Sequence, residues 1–178
     1  MKTKRYNFFR LKMSKLLVGE HEAQRNVKPC NMGNAKTAGL LFAVNSETDV
    51  ADAEYVFNHL KDNNISVSAL GYIVDGKNAA NYRRPAHFDF YTDKDLDFLL
   101  RPKSEAAKSF AGTEFDILID INSADYYPAK MLLNSTMAHF RIGRFADKRP
   151  FDLMMCIADD KDVRYYYEQI IFYLQKFN

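Results

Sequence analysis

Five aspartates fall where a parallel α/β sheet would present its ligand edge: Asp49, Asp75, Asp125, Asp159 and Asp160. Carboxylates gathered at one point can hold Mg²⁺ or act as general acid and base. Acids in such places more commonly cap helix N-termini or stabilise turns. Two of the five have amide and hydroxyl side chains just before them. Asn45 and Ser46 precede Asp49, and Asn122 and Ser123 precede Asp125. The candidate ligand-binding residues are therefore Asn45, Ser46, Asp49, Asn122, Ser123 and Asp125.

Asp120 differs from these because it lies inside the apolar run FDILIDI at 115–121. A buried carboxylate must find a partner or take up a proton. Arg141 or a neighbouring backbone donor is the expected partner, which makes Asp120 structural rather than catalytic. Arg141, Arg144, Lys148 and Arg149 form a basic patch after a strand. It could contact phosphate, although a solvated loop is the commoner outcome.

Other chemistries leave no signature. His21, His59, His87 and His139 show neither HxxxH nor HExxH spacing, and Cys30 and Cys156 form no CxxC pair. No metal site is predicted. There is no GxSxG elbow for a serine nucleophile. The loop at 44–49, VNSETD, follows the first predicted strand and contains no glycine. The absence of GxGxxG and Walker A patterns there argues against a dinucleotide dehydrogenase or a P-loop NTPase. Both cysteines are expected to be reduced thiols, with Cys156 a small core residue.

The elements that would position these residues alternate. Residues 37–44, TAGLLFAV, read as a strand buried on both faces. Ser46 with Asp49 three residues later resembles a capping box. Val50, Ala53, Phe57 and Leu60 then repeat at helical spacing until Asp62-Asn63-Asn64. Further strands are expected at 65–74, 87–91, 115–121, 139–142 and 151–158. Helices are expected after Thr92, over 104–110, from Pro128, and after Asp159 or Asp160. This order predicts a three-layer α/β domain over 36–178 with a mostly parallel sheet, Rossmann-like or flavodoxin-like. Ligands of such sheets sit beyond the C-terminal strand ends.

The chain has 178 residues, 47% of them hydrophobic, with a formal net charge of +2. That composition supports a packed core and argues against global disorder. No apolar run is long enough for a transmembrane helix, and charges interrupt any signal-like stretch, so a cytoplasmic protein is expected. The charge is uneven. Residues 1–28 hold eight basic and two acidic side chains, a balance of +6, against −4 for the remaining 150. Phe9, Met13, Leu16 and Leu17 lie at helical spacing there, predicting an amphipathic helix with a basic polar face. Such a helix could pack on the domain, or dock on a protein, a nucleic acid, a membrane surface or a second copy of the chain. Two functions follow. One is binding of a macromolecular partner through this helix. The other is a small nucleotide- or sugar-nucleotide-binding protein or enzyme that uses the carboxylate edge, its cofactor unassigned.

Several runs carry a resemblance: FDILID at 115–120, Tyr127-Pro128 and AHFRIG at 138–143, with KTAGLLF at 36–42, Leu70-Gly71-Tyr72, Lys94-Asp95-Leu96 and Arg101-Pro102-Lys103. Over nearly its whole length the chain resembles a bacterial family of uncharacterised conserved proteins, a domain of unknown function. That implies a stand-alone cytoplasmic bacterial protein. FDILIDI followed by a helix and HFRIGR is also similar to the N-terminal Rossmann-like domain of heptosyltransferase-type glycosyltransferases, which implies a parallel α/β fold.

Overall fold

A computed structural model of the chain describes residues 8–17, 23–77, 79–146, 150–158 and 161–177. Helix α1 (Phe8–Leu17) comes first, then β1 (Thr37–Val44), α2 (Glu47–Asp62), β2 (Ser66–Ile73) and β3 (Phe88–Tyr91). The second half runs α3 (Glu105–Gly112), β4 (Ile117–Asp120), α4 (Tyr127–Ser135), β5 (Phe140–Arg144), β6 (Leu153–Met155) and α5 (Val163–Leu174). The six strands make one sheet in the order β3-β2-β1-β4-β5-β6, and every pairing is parallel. This is the strand order of doubly wound nucleotide-binding sheets. The expected α/β fold with a parallel sheet behind an N-terminal helix is what the chain adopts.

Alternation along β1 explains the two cores. Leu40, Phe42 and Val44 pack against α2 and α5, with Val50, Phe57, Tyr166 and Ile170 around them. Leu41 and Ala43 face the other way, towards Phe110 of α3 and Leu132 of α4. Successive strand residues point to opposite faces, so a strand covered on both sides must be apolar throughout. Helix α2 begins as its sequence predicts. The Asp49 carboxylate accepts the backbone N–H of Ser46 at 2.8 Å. The helix stops at Asn64, whose φ of 61° is a left-handed conformation that asparagine tolerates.

Helix α1 packs by a face other than its apolar stripe. Ser14 is fully buried, with its hydroxyl 2.6 Å from the Leu99 carbonyl and 2.8 Å from the Tyr127 hydroxyl. Arg10 donates to the carbonyls of Asp97 and Phe98. Phe9 and Leu16 were expected on the buried stripe but are 60% and 73% exposed. The physical reason is the surface that α1 meets. The 97–99 segment offers carbonyls that need donors, and Arg10 and Ser14 supply them. Residues 1–7 and 18–22 of the expected basic segment, and the Leu17 side chain, lie outside the described residues.

Four further expectations change. Residues 93–95 form a single 3₁₀ turn capped by Thr92 rather than a longer helix, and Leu96 and Leu100 beyond it are buried. Strand β5 continues through Gly143 to Arg144. Strand β6 is only three residues long, so Cys156 leaves the sheet and is exposed instead of entering the core. The cap of α5 is Asp162, which accepts the N–H of Tyr165 at 2.8 Å. Asp159 and Asp160 lie outside the described residues.

Candidate ligand cleft

The parallel sheet reverses its winding between β1 and β4, where such folds usually bind ligands. Here that crevice is closed. Asn45, after β1, donates its side-chain amide to the Tyr126 hydroxyl, after β4, at 2.9 Å. The remaining cavity, beside Phe42, Asp49, Asn122 and Tyr126, is about 10 Å³. That is room for no more than one water. Burial raises the pKa of Tyr126 and the nearby Asp49 adds to this, while the Asn45 contact opposes them.

Asp49 is already engaged in a cap. One carboxylate oxygen accepts from the backbone N–H of Asn45 and of Ser46, both at 2.8 Å, and from the Ser46 hydroxyl at 3.0 Å. Asn45, Ser46 and Asp49 therefore make a helix N-terminus and a closed crevice. Asp75 is likewise engaged locally, accepting the N–H of Lys77 at 3.1 Å.

A larger cleft, about 310 Å³, opens beyond the C-terminal ends of β4, β5 and β6. The β4 end contributes Asp120, Asn122, Ser123 and Asp125. The β5 end contributes Arg144 and Phe145, and the β6 arm contributes Phe151, Met155 and Cys156. Three of the six sequence candidates, Asn122, Ser123 and Asp125, thus share one wall. Asn45, Ser46 and Asp49 are not part of it.

Two side chains in this cleft are incompletely bonded. Asn122 is 8% exposed. Its backbone N–H and side-chain Nδ2 both donate to Asp120 Oδ1, at 2.8 and 2.6 Å. Those two bonds fix the amide orientation and leave Asn122 Oδ1 buried with no hydrogen-bond donor among the described residues. A buried acceptor without a donor costs roughly 1–3 kcal/mol. The second is Arg144. Its guanidinium carbon lies 4.4 Å from the centroid of the Tyr166 ring. Nε is buried and bonded to nothing among the described residues.

Tyr166 ties these groups together. Its hydroxyl donates to the Asp120 carbonyl at 3.3 Å. Burial drives its pKa well above the ordinary tyrosine value, the Asp120 charge adds to this, and the Arg144 charge opposes it. Asp120 takes neighbouring Asn122 donors, in agreement with one of the two expected kinds of partner. Among the described residues no three His, Cys, Asp or Glu side chains converge as a metal site would require.

The arrangement suits recognition of a polar molecule. A guanidinium offers a planar fork of donors to an oxyanion, while the Asn122 oxygen and the aspartates accept from hydroxyl or amine groups. The role of Arg144 was only partly legible. The basic patch was visible, but a solvated loop was its expected place. The missed signal is position: Arg144 is the second residue after buried Ile142 in an alternating strand, so its side chain shares the face of Ile142.

No curated protein matches the chain, and no solved structure does. One family model does match, over residues 5–177. It covers the helix α1, all six strands and the cleft, and the chain belongs to that family, a family of unknown function (DUF6913).

Proposed function

We propose that this protein binds a small polar ligand in the cleft beyond β4, β5 and β6, and not at the usual switch-point crevice. The observation that carries this reading is that Asn122 and Arg144 line one cleft and that, among the described residues, the Asn122 oxygen has no donor and Arg144 Nε no acceptor. Each group loses solvation on folding and regains a partner when a ligand arrives. The cleft volume of about 310 Å³ is at the lower end of small-molecule sites, which suits a ligand smaller than a dinucleotide. Asn122, Ser123 and Asp125 remain binding candidates under this reading, joined by Arg144.

The thiol of Cys156 lines the cleft and is exposed, so it reports on occupancy. A Cys30→Ser chain leaves Cys156 as its one thiol. It would be treated with a thiol reagent alongside nucleosides, nucleotides, sugars, sugar phosphates and amino acids, and its melting temperature recorded with each. A true ligand slows modification and raises the melting temperature together. Free ligand at 100 times its Kd is worth about 2.7 kcal/mol of stability. If no class of compound produces both effects, the proposal fails.

A second reading rests on α1. Phe9 and Leu16 project to solvent with Phe98, and Lys12 and Lys15 stand exposed among them. An apolar face edged by lysines has the chemistry to meet an anionic membrane surface. Co-sedimentation of the full chain with anionic vesicles tests this. Equal recovery with neutral and anionic vesicles would count against it.

A further inference from the structure

We infer that the ligand of the cleft is a small polyol carrying one oxyanion, a phosphate monoester or a carboxylate, with the oxyanion on Arg144 and a hydroxyl on Asn122 Oδ1. This rests on the proposal that the cleft is a ligand site. Four observations narrow its chemistry.

The first is Arg144. No ion pair to it exists among the described residues, and Nε is buried without a partner. The guanidinium carbon lies 4.4 Å over the Tyr166 ring, which holds the side chain by a cation–π contact. A fork held in this way matches the two oxygens of a phosphate or carboxylate. The second is Asn122. Its amide is oriented by two bonds to Asp120, so the atom left over is an acceptor. An acceptor calls for a hydroxyl or amine on the ligand, and an oxyanion cannot satisfy it.

The third is the charge around these two groups. Asp120 and Asp125 line the same cleft as Arg144. Two carboxylates beside one guanidinium disfavour a bare anion, whereas carboxylates are good acceptors for hydroxyl groups. A ligand with hydroxyls and a single oxyanion suits a wall of this mixed charge. The fourth is size. About 310 Å³ accommodates a pentose or hexose derivative, and the crevice that would extend the site towards β1 is closed by Asn45 and Tyr126.

Calorimetric titration of the full chain with matched compounds tests the inference: ribose, ribose 5-phosphate, glucose, glucuronate and inorganic phosphate. Ribose 5-phosphate or glucuronate should bind at least tenfold more tightly than its neutral counterpart and than inorganic phosphate. Which of the two binds identifies the oxyanion. Arg144→Met should remove that advantage, leaving the charged and neutral compounds within about threefold of each other. Arg144→Lys keeps a cation against Tyr166 and guards against a folding defect. It should retain part of the advantage, because it loses the fork and not the charge.

Neutral sugars binding as well as charged ones would overturn the inference and leave the cleft as a ligand site. Inorganic phosphate binding as tightly as ribose 5-phosphate would overturn the polyol half of it. Failure of all five compounds would overturn it entirely. Cys156 protection by compounds outside this set would then show that the cleft binds another class, and no protection by any compound would remove the site itself.

Discussion

The Asn45 amide and the Tyr126 hydroxyl meet at 2.9 Å across the point where the sheet reverses its winding. The contact joins the loop after β1 to the loop after β4. In a doubly wound sheet these two loops ordinarily separate to admit a ligand. Here Tyr126 is 4% exposed and fills the gap. Tyr126→Phe keeps the ring and deletes the bond, so a loss of about 1 kcal/mol in urea unfolding is expected. Binding in the larger cleft should be unchanged. Tyr126→Ala removes the ring as well and should cost about 3–5 kcal/mol, as large-to-small aromatic substitutions do. A Tyr126→Phe chain with altered ligand affinity would show that crevice and cleft are coupled.

The buried phenols set an alkaline limit. Burial raises the pKa of Tyr166 most, with the Asp120 charge adding to it. Burial also raises Tyr167, with Tyr55 adding. In the unfolded chain a tyrosine ionises near its ordinary value of about 10. Below that pH both states hold the proton and stability is intact. As the pH rises past about 10, the unfolded state sheds protons first and stability falls. Urea midpoints at intervals from about pH 8 to pH 11 check this. Tyr166→Phe removes one of these buried phenols, so its decline should be shallower than that of the parent chain. Parallel declines would mean that Tyr166 contributes nothing to the alkaline limit.

Arg25 and Asp152 bind the segment before β1 to the sheet. The pair is bidentate, at 2.7 and 2.9 Å, and its side chains are 5% and 15% exposed. Asp152 also accepts the N–H of Arg141 at 2.7 Å, and Arg25 donates to the carbonyls of Ala138 and His139. Removing the Asp152 carboxylate alone takes both ion-pair bonds from a buried guanidinium and the acceptor from the Arg141 N–H, so Asp152→Ala should cost about 3–5 kcal/mol. The double variant Arg25→Met with Asp152→Ala removes the guanidinium as well and should be more stable than Asp152→Ala. Additive losses in a denaturant double-mutant cycle would argue that the two residues act independently.

Legibility in the sequence followed locality. Strand β1 was readable to the residue, because a strand covered on both faces must be apolar at every position. The start of α2 was equally plain, since Ser46 and Asp49 interact three residues apart. Strand order was not readable: pairing of β1 with β4 joins residues about 80 positions apart, and no local pattern encodes it. The same distance hid the cleft. Arg144 becomes notable only when α5 places Tyr166 against it, and Asn122 only when its two bonds to Asp120 leave one atom over. Helix α1 misled for a related reason. Its apolar stripe was real, but the partner surface at 97–99 selected Arg10 and Ser14 through carbonyls that periodicity does not register.

Gly143 links the sheet to the cleft wall. It lies within β5, and a Cβ built there would overlap Cζ and two further ring carbons of Phe151. The obstacle is a whole aromatic ring, which cannot rotate out of the way as the tip of a flexible chain can. Phe151 is half-buried against the α3 and α4 core and also lines the cleft. Gly143→Ala must therefore displace Phe151 from both places. Overpacking of this kind typically costs about 1–3 kcal/mol. Because the displaced ring forms one wall, the Cys156 thiol should react at a changed rate and ligand protection should weaken. Adding Phe151→Ala removes the obstructing ring and should make Gly143→Ala nearly neutral in that background. If Gly143→Ala is as costly without the ring as with it, the close approach of Gly143 and Phe151 is not what shapes this wall.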